Sequence, residues 1–145
     1  HGDCFIAYAN GSNNNLKVMF GDVRIESFSK GEIEMQHGDL NINKAHDLTL
    51  DIQFGDIDID MLGGYSELDI AHGDLEIDAI SNKFSGLKID TQFGDVDIVG
   101  LSTQNIDMDL SGTFTDFSFD KSWKRGNSSN AVSYTNMTLP TICSV

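Results

Sequence analysis

The residues with the clearest chemical potential in this sequence are its carboxylates, which recur at regular spacing along the chain. Aspartate and glutamate number 23 among 145 residues, against 9 lysines and arginines, and the formal net charge is -14. Carboxylates repeated at a fixed interval can coordinate Ca²⁺, or they can accept hydrogen bonds from the amides of a turn. One set closes a recurring aromatic-Gly-Asp tripeptide or its diverged last copy: Asp22, Asp39, Asp56, Asp74, Asp95 and Asp116.

We predict that this first set lies at chain corners, where turn amides satisfy the side chains. A second set occupies alternate positions of extended segments and supplies candidate Ca²⁺ ligands: Glu34, Asp51, Asp69 and Asp90. A third set, Asp58, Glu76 and Asp97, has the same alternation after the corner. Like charges on neighbouring strands repel each other by roughly 0.2–1 kcal/mol per pair. Two interpretations therefore stay open, namely shared Ca²⁺ ions, or solvated acids that keep the sheets soluble and prevent edge-to-edge association.

The sequence contains no recognisable catalytic motif and calls for no cofactor other than Ca²⁺. It has no P-loop, no HExxH, no CxxC and no GxSxG elbow. The acidic balance argues against nucleic acid as a partner, because phosphates need a basic surface. No apolar run is long enough to cross a bilayer. Cys4 and Cys143 stand at opposite ends of the chain, and we expect both to be free thiols.

The tripeptide itself indicates an internal repeat. FGD begins at Phe20, Phe54 and Phe93, and it alternates with HGD, while a diverged FTD follows at Phe114. Successive copies are 17 to 21 residues apart, a period typical of solenoid architectures. The aromatic residues form one predicted column, which we expect to be an internal stack of rings: His1, Phe20, His37, Phe54, His72, Phe93 and Phe114.

The elements that position these residues follow from hydrophobic alternation. Apolar residues alternate with polar ones before each tripeptide, as in Leu48 to Phe54, which predicts a strand with one buried face. After Gly-Asp the alternation restarts one residue out of phase, so the chain must bend there. A third apolar column lies at a constant offset beyond each second strand: Ala9, Phe28, Ala45, Leu62, Ile80 and Leu101.

These columns favour an all-β, single-chain β-solenoid, or parallel β-helix, over an antiparallel meander of hairpins. A two-residue hairpin would need neither the third column nor the change of phase. We predict about seven coils over residues 1–120, followed by a loop and capping strands over residues 121–145 that include Trp123.

The unit seen in LDIQFGDIDI and LDIAHGDLEI resembles the adhesin-type β-helix domains of Bacteroidetes cell-envelope proteins, which are domains of unknown function. The resemblance covers about residues 1–120 and implies a right-handed β-helix that is exported to the bacterial cell surface or periplasm. It also implies a non-enzymatic role. The resulting expectation is an adhesin or structural module that presents polar faces to a glycan or a surface protein.

Two other functions remain open at this point. A glycan-active β-helix enzyme similar to a polysaccharide lyase would need a groove with paired acids or a basic residue, and Arg24 is the one arginine among the predicted coils. A calcium-dependent binding module would share the rod of the first hypothesis and differ in its response to metal.

Overall fold

The structure is a computed structural model that describes residues 2–99, 108–113, 115–119 and 132–135. Within these ranges the chain is all-β and contains no helix, so no helix of the described residues could cross a membrane. The strands are β1 Cys4–Ala9, β2 Asn14–Phe20, β3 Val23–His37, β4 Leu40–Phe54, β5 Ile57–His72, β6 Leu75–Ile77, β7 Ile80–Ile98, β8 Met108–Gly112, β9 Thr115–Phe119 and β10 Val132–Thr135.

Every strand pairing among the described residues is parallel, which confirms the solenoid and excludes a meander of hairpins in this part of the chain. β3 pairs with β4, β4 with β5, and β5 with β6 and β7, so each turn of the chain lies on the previous one. Residues that are equivalent in the repeat are direct neighbours. The column Ile25, Ile42, Ile59, Ile77 and Ile98 shows this register across five turns.

The solenoid has about five turns, fewer than the seven predicted coils. The prediction counted each tripeptide as one coil. A full turn, however, runs the whole way from one corner to the next. The turns at the first and last copies of the tripeptide are only partly described.

The core consists of the inward columns that the alternation predicts. Ile33, Leu50 and Leu68 before the corner are at most 1% exposed, and so are Ile42 and Ile59 after it. The third column also stacks in register from Ala9 to Ile80, with Phe28 and Leu62 fully buried at its centre. Leu101, the last predicted member of this column, lies outside the described residues.

Each Gly-Asp corner requires glycine for two reasons. Gly38, Gly55 and Gly73 have φ values of 133°, 146° and 141°, which residues with a side chain rarely adopt. In addition, a Cβ atom on Gly55 would overlap the carbonyl oxygen of Gly38 on the preceding turn. The corner therefore fixes both the bend and the closest approach between turns.

Turns of different length are accommodated at the bend opposite the corner. The register between β4 and β5 shifts between His46 and Thr49, where β5 has one residue more than β4. Asp47 takes a positive φ of 52°, and its carboxylate accepts a hydrogen bond of 2.9 Å from the amide of Tyr65. The extra residue is absorbed there without disturbing the columns on either side.

We call the stacked segments that precede each corner the first sheet and those that follow it the second sheet. At the carboxyl end, β10 pairs with β8 in parallel and so adds another strand to the first sheet. The remainder of the predicted cap, including Trp123 and Cys143, lies outside the described residues. At the other end Cys4 is a free cysteine.

One buried residue breaks the apolar pattern and yields a prediction. Thr91 is 1% exposed in a column with Met35, Ile52 and Ile70, and its hydroxyl has no hydrogen-bond partner among the described residues. We expect Thr91→Val, which keeps the shape and removes the hydroxyl, to stabilise the protein by about 1 kcal/mol. Thermal unfolding should show a midpoint about 2–4 °C higher. Thr49→Val on the outer face is the control and should change the midpoint little; a lower midpoint for Thr91→Val would contradict the assignment.

Candidate functional site

The aromatic residues of the tripeptides form a continuous ladder of stacked rings. The ring centroids of Phe20 and His37 are 5.2 Å apart, and those of His37 and Phe54 are 5.0 Å apart. The next two steps, to His72 and then Phe93, are 4.8 Å each, and neighbouring planes are inclined by at most 8°. His1 and the side chain of Phe114, which were predicted to continue the stack, lie outside what the structure describes.

The ladder is on the surface, so the prediction of an internal stack is wrong. Phe20, Phe54 and Phe93 are 39%, 44% and 43% exposed, and His37 and His72 are exposed as well. The last side chain that faces the core lies two residues before each ring; Ile52, two residues before Phe54, is 1% exposed. The chain bends at the positive-φ glycine that follows the aromatic residue, and the ring at this last strand position lies outside the core.

The corner aspartates form a second ladder beside the rings. The amide of Asp56 donates to Oδ1 of Asp39 at 3.0 Å, and the amide of Asp74 donates to Oδ1 of Asp56 at 3.0 Å. The same bond joins Asp39 to Asp22 and Asp95 to Asp74. Asp116 is in register with Asp95, but its side chain is not described.

The amides that donate to the corner aspartates are not the predicted ones. Each carboxylate accepts from the amide of the next turn and not from its own turn, because the parallel stack places equivalent corners directly above one another. Asp3, which was not predicted, adds a further step by accepting from the amide of Asp22 at 3.4 Å. The aspartate ladder therefore bonds successive turns together.

An acidic groove of about 920 Å³ runs along the rod beside this ladder. One wall is the aspartate ladder itself, including Asp39, Asp56 and Asp74. The other wall is the outer row of the second sheet, in which Asp58, Glu76 and Asp97 stand in register. At the amino-terminal end the same row continues as Asn41, Arg24 and Phe5.

The four candidate Ca²⁺ ligands of the first sheet do stand in one row. Glu34 pairs with Asp51, Asp51 with Asp69, and Asp69 with Asp90, and Lys17 precedes them. Lys17 donates a hydrogen bond to Glu34. Among the described residues, these four do not form a compact group of three or more carboxylates with ligand atoms within 4.8 Å of one another.

A compact group lies elsewhere, at the end of the second sheet. Carboxylate oxygens of Asp58, Asp60 and Asp78 all lie within 4.8 Å of one another. Burial, together with the charges of Asp60 and Asp78, raises the pKa of Asp58. Asp60 and Asp78 were not among the predicted site residues. Each of the two residues ends an acid-apolar-acid run, namely DID at 58–60 and EID at 76–78. This pattern could have indicated that both lie where the strand ends and the chain bends.

The crowded acids predict an unusual pH dependence of stability. The pKa values of Asp58 and Asp69 are raised chiefly by burial, and that of Glu76 is raised chiefly by the charge of Asp78. A carboxyl group whose pKa is raised on folding stabilises the protein below its unfolded pKa, and this contribution is lost as the pH rises through the folded pKa. We therefore expect the melting temperature to rise slightly as the pH falls from 7 towards about 4, with most of the gain close to the ordinary carboxyl pKa values.

The control for this prediction is the double variant Asp58→Asn/Glu76→Gln. It should flatten the pH profile and melt above the native protein at pH 7. A native melting temperature that falls steadily from pH 7 to pH 5 would contradict the assignment.

The exposed groups thus form parallel rows with one member per turn. Such rows suit a ligand that extends along the rod, whereas a catalytic centre needs a convergent set of different groups. Comparison with family models, with curated proteins and with solved structures finds no match to this chain.

Proposed function

We propose that this chain is a non-enzymatic module of an exported cell-envelope protein, an adhesin-like or structural rod that holds a partner against its polar faces. The resemblance of its repeat to envelope β-helix domains supports the compartment. The observation that carries the binding role is the acidic groove, where two rows of carboxylates follow the rod axis at the repeat of the turns.

The chemistry of the groove indicates the kind of partner. Carboxylates accept hydrogen bonds from hydroxyl groups and attract ammonium and guanidinium groups. With a net charge of -14 on the chain, acidic glycans and nucleic acids are repelled. The partner that fits is therefore a neutral or amino-sugar glycan, or a basic segment of a surface protein.

Two variants with the same change of charge on different faces test this proposal. Asp58→Asn/Glu76→Gln/Asp97→Asn removes three charges from the second-sheet wall of the groove, and Asp51→Asn/Asp69→Asn/Asp90→Asn removes three charges from the outer row of the first sheet. The native protein and both variants are applied to immobilised neutral, amino-sugar and acidic glycans and to basic and acidic proteins. We expect the native protein to bind neutral or amino-sugar glycans or basic proteins, and the groove variant to bind at least tenfold more weakly.

The control variant should bind like the native protein. Equal losses in the two variants would show that net charge alone governs binding, and the absence of binding to every member of the panel would overturn the proposal. Measuring the length of the same glycans after incubation tests the enzymatic alternative, since cleavage would contradict a purely binding role.

Calcium-dependent binding is a second candidate, and the compact group of Asp58, Asp60 and Asp78 favours it. Three carboxylates can supply up to six oxygens, and oxygens are the ligands that Ca²⁺ prefers. The pKa of Asp58 is raised by burial and by the charges of Asp60 and Asp78, and the cation would relieve the part that comes from these charges.

We expect millimolar Ca²⁺ to raise the melting temperature of the native protein by several degrees relative to chelator, roughly 2–6 °C. Asp60→Asn should remove most of this increase, whereas Glu34→Gln on the first sheet should leave it unchanged. A larger loss with Glu34→Gln would move the site to the row that includes Asp51 and Asp69. An identical melting curve in chelator and Ca²⁺ would eliminate the calcium candidate.

A further inference from the structure

We propose that the exposed side of the aromatic ladder binds elongated, planar aromatic cations that lie along the axis of the rod. None of the ladder rings lines the acidic groove, although the corner aspartates beside the rings also form one wall of that groove. The centre of the proposed site consists of His37, Phe54 and His72, whose rings follow one another at 5.0 and 4.8 Å.

The orientation of the rings determines which ligand fits. Because each ring stacks on the next, the faces of the inner rings are covered and their edges point towards solvent. A flat aromatic ligand laid along the ladder meets a ring edge on every turn, and edge-to-face contact is a favoured geometry for aromatic pairs. The steps from His37 to Phe93 cover about 15 Å of the axis, enough for two or three linked rings.

The width of the strip favours a small ligand over a protein partner. The apolar surface is about one ring wide at three of the five rings, where Gln36, Gln53 and Gln92 precede the ring in the neighbouring row; Ala71 and the exposed Met19 occupy the other two positions of that row. On the other side are the corner aspartates, two residues after each ring. A hydrophobic anchor from a protein would find only a single row of side chains to cover.

The charge next to the ladder selects a cation. Asp39, Asp56 and Asp74 each use Oδ1 in the hydrogen bonds between turns. Oδ2 is not part of those bonds and can face a positively charged ligand. With the net charge of -14, this row attracts a planar cation and repels a planar anion of the same length.

The test is a titration of the intact native protein at pH 8 with thioflavin T, a planar aromatic cation, and with Congo red, an elongated planar anion. We expect saturable binding of thioflavin T with a rise in its fluorescence, a weakening at high salt, and no saturable binding of Congo red. Phe54→Leu removes the central ring at an exposed position and should weaken thioflavin T binding at least tenfold. Tyr65→Leu removes an exposed ring elsewhere and is the matched control.

A second variant keeps the proposal testable if Phe54→Leu unfolds. Asp39→Asn/Asp74→Asn retains the Oδ1 acceptors of the aspartate ladder and removes two charges, and we expect at least threefold weaker binding. The proposal is overturned if thioflavin T does not bind saturably, if Congo red binds equally well, or if the Tyr65→Leu variant loses as much affinity as Phe54→Leu.

Discussion

Gly55→Ala is expected to destabilise the protein by about 4 kcal/mol or more, the largest effect that we predict for a single methyl group. Alanine must adopt the φ of 146° that the corner requires, which costs on the order of 1–3 kcal/mol by itself. Its Cβ atom would also overlap the carbonyl oxygen of Gly38, so the two turns would have to separate. Separation would stretch the bond from the Gly38 amide to the carbonyl of Phe54 and the neighbouring bond from the Asp56 amide to Asp39.

Chemical denaturation measured by circular dichroism would provide the free energy of unfolding, with Gly2→Ala as the control. Gly2 has a similar φ of 126°, but a Cβ atom there meets nothing within 4 Å. Gly2→Ala therefore carries the backbone cost without the overlap and should be clearly milder. If the two variants lose the same free energy, contact between the corners is not what makes glycine necessary.

Ile59→Ala is expected to destabilise the protein by about 2–5 kcal/mol. Ile59 is fully buried at the middle of the solenoid, between Ile42 on one turn and Ile77 on the next. Truncation removes apolar contacts within its own turn and with both neighbours. Because the parallel backbone ladders hold the turns in register, the cavity cannot collapse easily, which favours the upper part of this range.

Asp60→Ala is the matched control, one residue further along the same strand and on its outer face. It removes a carboxylate from a repulsive group, so we expect no loss of stability, or a small gain. Urea denaturation of both variants measures the difference. Equal losses would show that the strand does not present one buried and one solvated face.

The architecture was predictable because it depends on local, repeated features. The alternation around Leu50 and Ile57, together with the change of phase at Gly55, identifies which residues face inwards and where the chain bends. A repeat of nearly constant length then places equivalent residues in columns, and the structure has those columns.

The surface was less predictable, because it depends on geometry at the corner itself. Counting by twos from Leu50 assigns Phe54 to the interior, yet the bend at Gly55 follows immediately and the ring lies outside the core. The partner of Asp56 likewise depends on the vertical spacing of the turns and not on its own turn.

The position of the compact acidic group could not be inferred from strand alternation alone. Asp60 and Asp78 approach Asp58 where the second sheet ends and the chain bends, so their distances depend on side-chain directions at the bend. Glu34, Asp51, Asp69 and Asp90 do stand in one row, as predicted. Strand register makes each carboxylate a neighbour of the next one in the row, but it does not bring three of them together around one point.

The most direct test of the stacked solenoid is a nuclear Overhauser experiment on methyl-labelled isoleucine. In the stacked solenoid the methyl groups of Ile42 contact those of Ile59, and those of Ile59 contact Ile77. These pairs differ by the 17 or 18 residues that also separate the bonded corner aspartates. Contacts between residues whose numbers instead add up to a constant, as adjacent antiparallel strands require, would contradict it.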